Sequence, residues 1–145
     1  MTWPWRRTAH DAGLIFCAAV GSYLLSVLAA TRLSLWLSGA ARDWESAAGR
    51  VALGVLALDL SKLPGLLLAA LLLGSSLGAR PWIAAFGLVA LTYLFELIVS
   101  AILEQTAWLL GPGAVLLCRA GAAALLVALT TLVLRWRRPA GGGVR

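Results

Sequence analysis

Cysteine, histidine, lysine and charge in general are all scarce in this chain of 145 residues. Two cysteines cannot frame a secreted disulfide scaffold. They also lie far apart. In the helices expected below, the depths of Cys17 and Cys118 differ by roughly 16 Å at the helical rise, while a disulfide holds its Cα atoms within about 7 Å. A membrane thiol oxidoreductase needs close cysteine pairs, and there are none. The single histidine, His10, excludes bis-histidine haem ligation and a His-based metal site within one chain. The phosphate-binding Gly-Lys-Ser/Thr loop, the Gly-x-Ser-x-Gly elbow and the Rossmann glycine pattern are missing too. No nucleophile–base pair can be named, so the chain is read as non-enzymatic and without a cofactor.

Only 12% of residues are charged and 61% are apolar. Average soluble domains run near 25% and 45–50%. Together with a mean hydropathy of +0.92, this excludes both a soluble globular domain and a disordered chain. An all-α integral membrane protein remains. About 20 apolar residues cross about 30 Å of hydrocarbon, and four stretches qualify: 12–31, 51–73, 82–103 and 114–134. Barrel strands would be shorter, alternating and more numerous. The expected architecture is one four-transmembrane-helix bundle over residues 1–138, with a disordered tail at 139–145.

Orientation follows from the arginines. Arg6 and Arg7 precede the first span, Arg80 lies between the second and third, and Arg135, Arg137, Arg138 and Arg145 follow the fourth. The loop at 104–113 carries none. Both termini are therefore expected on the cytoplasmic side, although Arg32, Arg42 and Arg50 in the first loop dissent. The tryptophans (Trp3, Trp5, Trp36, Trp44, Trp82, Trp108 and Trp136) all fall at span ends or in loops, where an indole finds both apolar and polar surroundings. In the first loop, Leu33, Trp36, Leu37, Ala40 and Trp44 have helical spacing. This fits either a short surface helix or a loop with two anchoring indoles. The first span has span length rather than signal length and is read as retained. A signal peptide ending near Val27-Leu28-Ala29 is the competing reading, and it would leave three spans.

The formal charge of +6 is spread over span ends. It suits anionic lipid heads better than nucleic acid. Eleven arginines against one lysine hint at a GC-rich genome and a bacterial inner membrane.

Four ionisable residues fall inside expected spans: Asp59 and Lys62 in the second, Glu96 in the third and Arg119 in the fourth. Each would cost about 2.5–3.5 kcal/mol if left unpaired at a span centre. With each span centred on the midplane, Asp59 lies about 4–5 Å, Glu96 about 5 Å and Arg119 about 7–8 Å toward the outside, with Lys62 one turn below Asp59. Their charges sum to zero. Asp59 and Lys62 share a helix face. Val89, Tyr93, Glu96 and Ser100 form one stripe, which allows the Tyr93 hydroxyl near Glu96. Arg119 and Thr130 share another. Pro64 removes the N–H that would bond the Leu60 carbonyl, and with Gly65 beside it a kink is expected.

Two functions compete. In one, the charges form a static network in a non-catalytic subunit or assembly factor. In the other, Asp59 and Glu96 serve a small proton- or cation-coupled transporter, with Lys62 and Arg119 as counter-charges. Small residues recur at every fourth position in the first span (Ala18, Ser22, Ser26, Ala30) and in the fourth (Ala120, Ala124, Ala128). Such stripes suit close helix contact, within the bundle or with another membrane protein or a second copy.

Overall fold

The computed structural model describes residues 4–40, 54, 57–74, 76–77, 80–103 and 113–137. Among these no strand occurs, and the fold is all-α. Among the described residues the helices α1 (Pro4–Ala40), α2 (Lys62–Leu73), α3 (Pro81–Ile102) and α4 (Gly113–Trp136) follow one another. Among the described residues three helical segments are long and apolar enough to cross a membrane: Thr8–Leu33, Pro81–Ile102 and Leu116–Trp136. The chain is a membrane protein of at least this extent. Large apolar side chains cover its exterior, with Leu28, Leu72, Leu117 and Leu132 each about two-thirds exposed or more. In water this surface would drive aggregation; in lipid it is the solvated face.

Two boundaries differ from the sequence reading. α1 continues through 32–40 rather than stopping at Thr31. At 37 residues it is about 55 Å long, well beyond the hydrocarbon thickness. No proline interrupts 31–40, and Thr31 Oγ1 donates back to the Val27 and Leu28 carbonyls at 2.8 and 2.9 Å, so nothing stops the helix there. The stretch 33–40 is therefore part of α1 and not a separate surface helix. Residues 41–50, including Trp44, lie outside the described residues, as do 51–53, the loop at 104–112 and the tail at 139–145.

The second boundary concerns α2, which begins only at Lys62 and has 12 residues. Residues 57–60 upstream are also helical, and Ser61 between them keeps α-region dihedrals (φ −62°, ψ −19°). The chain thus keeps its helical course while the hydrogen-bond ladder is interrupted. Pro64 explains the interruption, because it has no N–H to give to the Leu60 carbonyl.

α1 packs along α2 and α3, and α4 packs along the same pair from the other side. Consecutive helices α2 and α3 touch only slightly across the diagonal. The apolar core lies in two clusters. Ala70, Leu77, Ala84, Ala85 and Leu134 fill the end formed by the α3 N-terminus. Ala19, Leu66, Ala69, Leu88, Val89 and Leu126 fill the middle. At the first end, Arg137 Nε donates to the Leu71 carbonyl at 3.2 Å, placing a cation at the C-terminus of α2 where the helix dipole favours it.

The stripe Ala18, Ser22, Ser26 and Ala30 faces inward. Ser22 and Ser26 are buried, and Ser22 Oγ donates to the Gly65 carbonyl at 3.0 Å. Gly65 is the point of closest approach. A Cβ there would meet the Ser22 carbonyl oxygen at 2.6 Å and its Cα at 2.8 Å. The α4 stripe behaves differently: Ala120, Ala124 and Ala128 are all exposed, so they make no close contact within the bundle. Arg119, Leu126, Thr130 and Leu134 take the inward face instead.

Both atoms that a Gly65 Cβ would meet are backbone, and backbone cannot swing aside. Gly65→Ala is expected to push α1 from α2 and destabilise the fold by about 1–3 kcal/mol, the usual cost of overpacking. Thermal unfolding in detergent would read this, and an unchanged midpoint would contradict the close crossing.

Candidate functional site

The site lies at the opposite end of the bundle from Arg137. There the segment 57–62, the C-terminal half of α3 and the start of α4 converge. Each contributes charge from a buried position: Asp59 and Lys62 are 2% exposed, Glu96 8% and Arg119 9%. The four form a closed ring. Lys62 Nζ lies 3.0 Å from Asp59 Oδ1 and 3.0 Å from Glu96 Oε2. Arg119 Nη2 lies 2.7 Å from Glu96 Oε1 and 3.6 Å from Asp59 Oδ1. Each carboxylate therefore meets both cations, and each cation meets both carboxylates. The sequence places Asp59, Glu96 and Arg119 in one layer with Lys62 one turn below, and the structure brings all four within ion-pair distance of a partner.

Local sequence explains the convergence. Asp59 and Lys62 are three apart, so their side chains meet on one face. Lys62 Nζ also donates to the Leu58 carbonyl at 3.2 Å. That carbonyl accepts the Ser61 hydroxyl as well, at 2.6 Å. On α3, Val89, Glu96 and Ser100 are buried and Tyr93 is half-buried, as a single inward stripe requires. Thr92, one position round, is also fully buried and returns its hydroxyl to the Leu88 carbonyl at 2.8 Å.

Tyr93 stands inside the ring. Its hydroxyl donates to Asp59 Oδ1 at 3.0 Å rather than approaching Glu96. The reason is directional: Glu96 turns toward Arg119, leaving the phenol facing the segment 57–62 across the diagonal. Both cations lie over its ring, Lys62 Nζ at 4.5 Å and Arg119 Cζ at 5.7 Å from the centroid. A π-face attracts cations, and more strongly without water. Asp59 Oδ1 thus collects Lys62, Tyr93 and Arg119, while Asp59 Oδ2 has no hydrogen-bond partner. Glu96 Oε2 accepts no hydrogen bond either; its approach to Lys62 is ionic contact without alignment.

Two cavities flank the ring. A cleft of about 310 Å³ between α1, the segment 58–62 and α3 has Lys62 and Glu96 in its wall. A groove of about 350 Å³ between α3 and α4 has Tyr93, Glu96 and Arg119 in its wall. Glu96 borders both.

The sequence reading named all five network residues. It did not mark the hydroxyl residues Tyr23, Ser26, Thr31, Ser61 and Ser100 as lining one cleft. Only Ser26 and Ser100 had been placed on stripes, and nothing in their spacing marks a cavity. Pro64 is exposed and Gly65 buried, so the pair combines an interrupted ladder with a packing contact. Cys17 and Cys118 are free thiols, both exposed. Compared with protein-family models, curated proteins and solved structures, the chain finds no significant match in any of the three.

Tyr93→Phe removes one donor from Asp59 Oδ1 and keeps the ring face. Side-chain hydrogen bonds between membrane helices average about 0.6 kcal/mol and reach about 1.7. A loss in that range is expected in an unfolding titration, and it should vanish in the Asp59→Ala background, which has no acceptor there. Equal losses in both backgrounds would break the assigned contact.

Proposed function

We propose that the chain is a small polytopic protein of four spans, with both termini cytoplasmic, acting as a non-catalytic subunit or assembly factor of the bacterial inner membrane. Its second span is the stretch 51–73, of which α2 is the C-terminal part. Its partners are the lipid bilayer and another membrane protein or a second copy; nucleic acid has no place in this reading.

The observation that carries the proposal is the closed, neutral ring. Static pairing satisfies every charge at once and leaves no surplus acid. Such a ring fixes which helices meet and at what register. In water a buried ion pair is weak support for stability. In hydrocarbon the alternative is an isolated charge, so the pairing governs whether the bundle assembles.

Stranding one charge is expected to be costly, about 3–5 kcal/mol for a buried pair that loses one partner. Asp59→Asn, Glu96→Gln and Arg119→Gln should each lower the folded yield. Glu96→Gln combined with Arg119→Gln leaves Asp59 and Lys62 as a balanced pair and should recover much of it. Singles and double with the same yield would remove the network from its structural role. Reporter fusions after Gln105 and after Arg138 are expected on opposite sides of the membrane. A same-side result would remove the four-span topology.

A second reading has one observation in its favour, namely that Glu96 borders cavities on both flanks of the ring. A carboxylate so placed suits a proton- or cation-coupled carrier using Asp59 and Glu96. In that case Glu96→Gln folds with wild-type yield and loses ion-coupled uptake in proteoliposomes.

A further inference from the structure

The cleft of about 310 Å³ is walled by α1, the segment 58–62 and α3. That volume is at the lower end for small-molecule sites. Much of its wall is apolar, including Val27 and Val99. The charges beside it are already engaged. Glu96 Oε2 is enclosed 3.0 Å from Lys62 Nζ, and that ammonium also serves the Leu58 carbonyl and Asp59 Oδ1. The hydroxyls in the wall are of two kinds. Ser26 Oγ donates its proton to the Tyr23 carbonyl at 2.7 Å, and Ser61 Oγ donates its proton to the Leu58 carbonyl at 2.6 Å. A hydroxyl has one proton and two lone pairs, so these two oxygens can only accept a further bond. Ser100 and Tyr23 differ. Among the described residues nothing bonds to Ser100 Oγ or Tyr23 Oη, and neither oxygen is enclosed. Both side chains line the cleft, and Ser100 is more than nine-tenths buried. Each still has a proton to give, and in an apolar wall an unmet hydroxyl is costly.

From this we infer that the cleft binds an uncharged single-chain lipid whose head is a hydroxyl, in its simplest form a long-chain alcohol. The head oxygen accepts a proton from Ser100 Oγ or Tyr23 Oη, its own proton goes to the oxygen of Ser26 or Ser61, and the chain lies along Val27 and Val99. A charged head of either sign is disfavoured. The ring beside the cleft already sums to zero, so neither an ammonium nor a carboxylate finds a counter-charge to cancel it. A plain alkane suits the apolar wall but leaves the Ser100 and Tyr23 hydroxyls without an acceptor. The site draws only on the ring's neutrality and takes no contact from it.

The test uses the full chain in nanodiscs of neutral phosphatidylcholine and a decanol with a diazirine on its chain, the labelled peptides being mapped by mass spectrometry after illumination. Labelling is expected on the α1 and α3 walls of the cleft, and excess decanol should displace it saturably. Decane, decylamine and decanoate should displace it weakly. Ser100→Ala and Tyr23→Phe each remove one free hydroxyl and leave the ion ring untouched. Each is expected to lower the competing affinity of decanol about two- to tenfold, as befits the loss of one hydrogen bond. Ser100→Ala should also keep the wild-type unfolding midpoint, because its hydroxyl bonds nothing within the bundle. Ala30→Leu fills the cleft from α1 and should abolish the saturable labelling; if it fails to fold, the two hydroxyl variants decide. Labelling spread evenly over the lipid-facing surface overturns the site, as does equal displacement by decane or decylamine. Wild-type decanol affinity in both hydroxyl variants does the same. A lowered midpoint in Ser100→Ala would place its hydroxyl in a bond within the bundle and remove the donor the site needs.

Discussion

A charge inside hydrocarbon must be cancelled where it stands, and this constraint organises one end of the bundle. Asp59, Lys62, Glu96 and Arg119 come from three separate segments, so their cancellation is also a statement about geometry. The distances of 2.7–3.6 Å hold only if the segment 57–62, α3 and α4 meet at one depth and one rotation. A slip of one residue along α3 would turn Glu96 away by about 100°, given 3.6 residues per turn. The apolar clusters farther along impose no comparable demand, since Leu and Ala tolerate small shifts of depth. Register is fixed at the charged end, and contact area is gained along the rest.

The diagonal arrangement follows from the same constraint. α2 and α3 are consecutive, yet they touch little. Their charges meet through long side chains and through Tyr93, which spans the gap with its ring and donates to Asp59. α1 adds no charge. It contributes a narrow seam where Ser22 lies against Gly65, and it carries the aromatic contact of Phe16 with Phe95 at 5.5 Å. Close packing at Gly65 places α1 beside the segment 58–62, and the cleft opens where these elements diverge toward Ser26, Ser61 and Ser100.

Much of this could be read from the sequence, and the reasons are periodic. Intramembrane charge is rare enough that four such residues identify themselves, and the helical rise then sets them at comparable depths. The inward stripe of α3 and the small residues of α1 follow from i, i+4 spacing. The failures arise where spacing carries no direction. Ala120, Ala124 and Ala128 repeat every fourth residue just as the α1 stripe does, yet they face outward because Arg119 sits one position away and claims the interior. The i, i+3 spacing pointed the Tyr93 hydroxyl to Glu96, whereas Glu96 meets Arg119 and the phenol donates to Asp59. The continuation of α1 to Ala40 was hidden because a drop in hydropathy after Thr31 resembles a helix end, whereas helix termination needs a breaker or a cap.

The two oxygens of Glu96 divide its contacts between neighbouring segments. Its Oε1 takes the shortest contact of the ring, 2.7 Å from Arg119, and ties α3 to α4. Its Oε2 lies enclosed 3.0 Å from the Lys62 ammonium, without an aligned hydrogen bond, and ties α3 to the segment 57–62. One carboxylate thus holds two neighbouring segments at once, one through each oxygen. Because the two oxygens face different cations, a turn of Glu96 that kept one contact would lose the other.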